Sequence, residues 1–306
     1  MNKKLIALAV AGAMSVPLAV QASDTGSMAG DVAISGFADI FYTATKDGSP
    51  TSEDLFDVRE VEVDFAGSGL RIDIDAMNNG ATVRVEQANF THEVANGWSL
   101  MGGSFESGLT DDAQDAPDMQ FSTNSKLFEA APTVVSGLAV SGMAGPANVT
   151  VGLVNDITAI APNQGTGVLL NVNGSVMEGL HVELGYLSQD MANGDLLDIN
   201  ALYEHGPFMA GLDYLSADPT AATDFDSGYS VIGGFDFGNG VAVKARLENT
   251  ENMAGGETDV TTLYVTYAVS DNLSVALQTE NVEKDALVTG GASDYDTAEL
   301  ELIATF

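Results

Sequence analysis

The chain has 306 residues, with 44 acidic against 10 basic side chains, a formal net charge of −34 and no cysteine. That balance repels nucleic acid and other polyanions, and the missing thiols exclude a disulfide framework, thiol catalysis and thiolate metal sites. Disorder, the usual reading of so acidic a composition, is opposed by 45% hydrophobic residues set in strong alternation.

The N-terminal MNKKLIALAVAGAMSVPLAVQA carries Lys3 and Lys4, an apolar run from Leu5, and Val20-Gln21-Ala22 before a polar stretch. This pattern predicts a secretory signal peptide over 1–22, cleaved after Ala22, and a mature domain over 23–306. The apolar run is too short for a retained membrane helix, and no later window reaches the roughly 18 apolar residues that such a helix needs.

From Val32 onward the apolar period is two, the period of a strand. VAISGFADIFYTA sets Val32, Ile34, Gly36, Ala38, Ile40 and Tyr42 against Ser35, Asp39 and Thr43. VEVDF sets Val61, Val63 and Phe65 against Glu60, Glu62 and Asp64, and LRIDIDA sets Leu70, Ile72 and Ile74 against Arg71, Asp73 and Asp75. In ATVRVEQANFTH the phase changes near Val85, which a bulge would explain and which leaves the face of Arg84 open. Later segments repeat the division. Val182, Leu184, Tyr186, Leu197, Ile199, Leu212, Tyr214, Val243 and Leu247 share the apolar face, while Glu183, Asp198, Asp213, Lys244, Arg246 and Glu248 share the other. The final AELELIATF puts Leu300, Leu302, Ala304 and Phe306 opposite Glu299 and Glu301.

Tight turns at 67–68, 95–97, 145–146, 178–179, 205–206, 238–239 and 270–272 alternate with longer connections near 46–55, 77–81, 106–133, 157–165, 190–195, 217–227, 250–258 and 283–294. They join about sixteen strands, and about 12, 14 or 18 fit the same pattern because boundaries shift by a few residues. Short turns on one rim, long loops on the other and one face almost free of charge predict an all-β, transmembrane antiparallel up-and-down β-barrel. Its apolar side meets lipid and its polar side a wet lumen. With odd strands running outward, Tyr42, Tyr186, Tyr214 and Tyr229 fall at the outer rim. Trp98, Tyr203, Phe208, Phe237, Tyr267 and Phe306 fall at the inner rim, giving two aromatic girdles.

ISGFADIFYTA, TVGLVND, VAVKARLENTEN, DNLSVALQTENVEKD and the terminal phenylalanine resemble the OmpL-like β-barrel porins of Gram-negative outer membranes. The resemblance implies a passive, water-filled channel that contacts outer-membrane lipid and lipopolysaccharide. It implies insertion by the barrel-assembly machinery, with Phe306 as the assembly signal, and it is compatible with a homotrimer. General porins fold a long third external loop into the lumen. Here that loop is 106–133, with Asp111, Asp112, Asp115 and Asp118 as constriction candidates, and the basic residues offered opposite it are Arg71, Arg84, Lys244 and Arg246.

The expected function is a channel for small hydrophilic solutes that favours cations. Its candidate lining residues are Asp39, Glu62, Asp64, Arg71, Asp73, Glu183, Asp213, Asp236, Lys244, Arg246, Glu248, Glu299 and Glu301. A structural or adhesive barrel is the alternative. An outer-membrane enzyme is disfavoured, because His92, His181 and His205 have no nucleophile or acid at motif spacing and fall toward the periplasmic rim. No cofactor or metal is expected. The acidic run 111–118 lacks the D-x-D-x-D-G spacing of a Ca²⁺ loop and reads as a solvated loop.

Overall fold

The computed structural model describes residues 32–46, 55–67, 69–77, 82–155, 166–188, 194–218, 225–285, 287–288 and 294–306. The segment 1–22, where a signal peptide is expected, and the central parts of several long connections lie outside the described residues. Alternation of small, β-branched and aromatic residues with polar ones yields sixteen strands. These are β1 (Ala33–Lys46), β2 (Leu55–Gly67), β3 (Leu70–Met77), β4 (Thr82–Ala95), β5 (Trp98–Glu106), β6 (Val134–Ala144), β7 (Ala147–Asn155) and β8 (Thr166–Met177). They continue as β9 (Leu180–Ser188), β10 (Leu196–His205), β11 (Phe208–Ala217), β12 (Phe225–Asp236), β13 (Val241–Asn252), β14 (Glu257–Ser270), β15 (Leu273–Lys284) and β16 (Tyr295–Thr305). One short helix, α1 (Lys126–Ala130), interrupts the connection between β5 and β6.

Each strand pairs antiparallel with the next, and β16 pairs with β1, so the sheet is a closed up-and-down barrel. Closure removes the sheet edges that hydrocarbon would leave without hydrogen-bond partners. The seam runs from Phe37 opposite Thr305 to Lys46 opposite Asp296. Beyond it, Phe306 and Gly36 exchange two backbone bonds, with Phe306 N donating to Gly36 O at 3.0 Å and Gly36 N donating to Phe306 O at 3.2 Å. A Cβ at Gly36 would lie 2.2 Å from the carbonyl oxygen of Glu62 and 2.7 Å from the ring of Phe306, so the seam closes only over glycine.

The expected strand number, the alternation of tight and long connections, and the two faces all match this architecture. Ile72, Leu184, Ile199, Leu212, Leu247, Leu263 and Leu277 remain exposed on the outer wall, where a soluble protein would bury them. Asp39, Glu62, Asp73, Asp213, Glu248 and Glu301 are buried on the inner side. At the long-loop rim the rings of Tyr42 and Phe56 meet at a tilt of 43° with centroids 4.7 Å apart, and Tyr214 stands opposite Tyr229. At the turn rim Phe208, Phe235 and Phe237 form an edge-to-face series with centroids 5.0 and 4.8 Å apart.

Two bulges re-aim charged side chains. Between β1 and β2, Asp39 opposes Glu60 but Ile40 opposes Val58, so Arg59 is the extra residue. Between β3 and β4, Asp73 opposes Gln87 and Ile74 opposes Val85, so Glu86 is extra. The second bulge is the phase change read near Val85. It leaves Val83 and Val85 exposed on the outer wall and turns Arg84 inward, onto Asp75.

Candidate functional site

The connection 107–133 does not extend outward but crosses the interior of the barrel. Its departure from β5 bends at Gly108 and Thr110, with φ of 66° and 68°. The left-handed backbone at Gly108 is one that other residues adopt only with strain, and a Cβ there would also crowd Asn171 Nδ2 at 2.8 Å. Burial of apolar surface then fixes the loop at three places. Leu109 and Leu127 enter a cluster with Leu169, Leu187, Leu196 and Leu215 of β8 to β11. Phe121 packs on Tyr264, Ile232 and Ala276 of β14, β12 and β15. Ala116 packs against Phe37 and Ile303 of β1 and β16. Each fully buried leucine or phenylalanine contributes about 1.5–3 kcal/mol. Among the described residues, the buried apolar clusters of the interior include side chains of the loop.

Wall side chains grip the main chain of the loop. Arg246 Nη1 donates to Thr123 O at 3.0 Å and its Nη2 to Asn124 O at 3.2 Å. Arg59 Nη1 donates to Ser122 O at 2.5 Å, and Asn171 Nδ2 to Gly108 O at 2.6 Å. In the other direction Ser122 N donates to Gln278, Lys126 N to Glu248 and Asp111 N to Asp213, at 3.0, 2.7 and 3.1 Å. Helix α1 is capped by Ser125, whose Oγ accepts from Phe128 N at 3.1 Å.

The candidate residues collect in separate groups. Asp39, Glu299 and Glu301 surround Arg59, which lies 3.0 Å from Asp39 and 2.9 Å from Glu301 and also pairs with Glu299. Glu62, Asp64 and Asp73 stand on β2 and β3 near Arg71, whose Nε is 2.7 Å from Asp73 and whose Nη2 is 3.8 Å from Asp115 of the loop. Ser35 donates to Asp64 at 3.0 Å. Glu183 accepts from Asn171, and Asp213 lies on β11 beneath Asp111. Arg246 is 2.8 Å from Glu248 and 3.6 Å from Asp112, with its guanidinium 4.6 Å over the ring of Phe121. Asp236 and Lys244 do not join these groups. Asp236 is exposed at the end of β12, where it accepts from Gly238 N at 2.7 Å, and Lys244 stands on β13 opposite Gly234, in the field of Glu204 and Asp112 without an ion pair among the described residues.

Arg59 must be added to the basic residues facing the loop. Strict alternation from Glu60 puts it on the lipid side, and only the bulge brings it in. Glu60, Asp75 and Glu86 also belong to the lumen wall, and all three are buried. Asn171 and Gln278 are further contacts that alternation places on the inner face without showing that a loop descends onto them.

Beside the loop lies an open cavity of about 240 Å³, whose lining includes Glu106, Asp111, Asp112, Asp115, Asp118 and Glu183 and, among the described residues, no lysine or arginine. Burial, then the neighbouring charges of Asp213 and Asp112, raise the Asp111 carboxyl to about 7. Burial, with Glu86 opposing and Arg71 assisting ionisation, raises Asp115 to about 7. Burial also raises Asp112, against the pull of Arg246.

A closed sixteen-strand barrel with a polar interior and an apolar outer wall is the porin-like fold of outer-membrane β-barrels. Among solved structures, the chain is similar to a loop-deletion variant of OmpT, an outer membrane protein of Vibrio cholerae. The TM-score is 0.65 at 13% identity, covering 91% of this chain and 100% of that one. It is also similar to a variant of the porin of Rhodobacter blastica, with TM-score 0.62 at 14% identity, covering 90% of this chain and 100% of that one. No protein-family model matches the sequence, and no curated protein matches it at the sequence level.

Proposed function

We propose that this chain is a passive diffusion channel of the bacterial outer membrane, passing small hydrophilic solutes and favouring cations. The observation that carries the reading is the cavity beside the inserted loop, lined by six carboxylates and, among the described residues, no basic side chain. Acidic rings in a low-dielectric wall concentrate cations and oppose anions. Two of the arginines near the loop support this, because Arg59 and Arg246 are occupied by wall carboxylates and loop carbonyls.

Export by the signal peptide, contact with lipid and lipopolysaccharide, and insertion by the barrel-assembly machinery through Phe306 belong to the same reading. So do a homotrimeric assembly and a place among the OmpL-like porins. A hydrolytic role has no support from the three histidines. His92, His181 and His205 are exposed near the turn rim, far along their strands from the loop. Reversal potentials of the reconstituted protein in a KCl gradient test the proposal. Cation preference is expected, reduced in Asp111→Asn with Asp112→Asn, and anion preference in the unaltered protein would overturn it.

A further inference from the structure

The wall of β2, β3 and β4 holds carboxylates that ion permeation does not explain. One oxygen from each of Glu62, Glu86 and Asp115 lies within 4.8 Å of the others, and Glu60, Asp75 and Glu86 form a second such group. Arg84 neutralises part of this, with Nε 2.8 Å from Asp75 and Nη2 2.7 Å from Glu86. Gln114 of the loop also donates to Glu86. Each of those contacts uses one oxygen, and Asp75 Oδ1 and Glu86 Oε2 remain without a partner among the described residues.

Glu62 is the more telling side chain. It is 0% exposed, and neither of its carboxylate oxygens has a hydrogen-bond partner among the described residues. Buried polar atoms are ordinarily satisfied, and a buried carboxylate is ordinarily paired. Here its close neighbours are three more carboxylates, those of Asp64, Glu86 and Asp115. The group therefore has the ligand atoms of a cation site and a fully buried ligand with no other occupation.

We propose that Glu62 and Glu86 of the barrel wall and Asp115 of the loop bind a divalent cation of the Ca²⁺ type, and that the ion clamps the loop to β2 and β4. The donor set is all carboxylate oxygen, without the imidazole or thiolate that would select a transition metal. Ca²⁺ accepts such oxygens in irregular geometry and completes its shell with water, whereas Mg²⁺ demands a near-ideal octahedron. The ligands come from three separate stretches of chain, which is why the spacing of the loop's own acidic run reveals nothing of them. Binding of this kind goes beyond the channel reading and is measurable whether or not the barrel conducts.

The test is calorimetric titration of CaCl₂ into the full mature barrel, folded in detergent, at constant ionic strength and with NaCl as the control. Saturable binding with a dissociation constant of about 10⁻⁴–10⁻³ M, the range of extracellular Ca²⁺ modules, is expected. Glu62→Gln and Asp115→Asn should each weaken it by about tenfold or more, since even outer-shell changes at metal sites cost that much. Asp271→Asn, at an exposed turn, should leave it unchanged. Absence of saturable binding, an equal response to NaCl, or unaltered affinity in either folded variant overturns the proposal. Should Glu62→Gln fail to fold, Asp115→Asn decides alone, because Asp115 lies outside the strand ladder.

Discussion

The guanidinium of Arg59 lies 3.0 Å from the carboxylate of Asp39, on the lumen side of a strand whose strict alternation assigns that position to lipid. One extra residue in β2 reverses its direction, and the same group then reaches Glu299, Glu301 and the Ser122 carbonyl. Asp39 and Glu301 are buried with this arginine as their shared counter-charge.

Replacing Arg59 with methionine should therefore leave several carboxylates uncompensated, at a cost of about 3–5 kcal/mol. A lower urea midpoint for the detergent-folded barrel is expected, with noisier open-channel current as the loop loses its Ser122 contact. An unchanged midpoint would show that the pair adds nothing to the wall.

The loop should respond to pH. Asp111 is raised to about 7 by burial and by Asp213 and Asp112, against an ordinary value near 4. Between those values the folded chain holds a proton that the unfolded chain lacks. Seating of the loop is thus favoured as pH falls through 7 and opposed as pH rises above it. The same protonation removes a negative charge from the cavity. The cation-to-anion permeability ratio should be lower at about pH 6 than at about pH 8, and Asp111→Asn should flatten the difference. A ratio insensitive to pH in the unaltered protein would contradict this.

The outer wall should be intolerant of charge. Leu212 is 52% exposed on that face, beside the inward Asp213. Leu212→Arg should cost about 2–4 kcal/mol if the residue lies near the bilayer midplane, whereas Asp213→Asn should fold normally. The fraction of heat-modifiable, folded barrel after insertion into vesicles separates the two. Equal folding of both variants would argue against a lipid-facing wall at β11.

Closure should depend on the contact between Gly36 and Phe306. Gly36→Val drives a side chain into the Glu62 backbone and the Phe306 ring, and deletion of Phe306 removes two seam bonds. Both changes should reduce the amount of folded barrel in the outer membrane more than they alter the conductance of the channels that form. Normal insertion of the deletion would remove the assembly role of Phe306.

Strand number, faces and turns were readable because period-two alternation and Gly/Asn/Asp/Pro turns are local signals. The bulge at Glu86 was also readable, since the flanking Val83 and Val85 expose the change of phase. The bulge at Arg59 was not. Val58 and Glu60 flank it without the pair of apolar residues that marks the other bulge, so strict alternation points Arg59 outward. The grouping of Glu62 and Glu86 with Asp115 was hidden for a different reason. It depends on where a loop of 27 residues comes to rest, and that is decided by Leu109, Phe121 and Leu127 finding apolar seats on distant strands.

Seven of the contacts that hold the loop inside the barrel use its peptide groups: the carbonyls of Gly108, Ser122, Thr123 and Asn124, and the amides of Asp111, Ser122 and Lys126. Peptide groups are common to every residue type. An exposed cavity-lining side chain such as Asp118 can therefore be exchanged by mutation while the peptide contacts keep the crosspiece in position. Such a scaffold separates inheritance of shape from inheritance of charge, and lets one barrel explore new permeant ions a single substitution at a time.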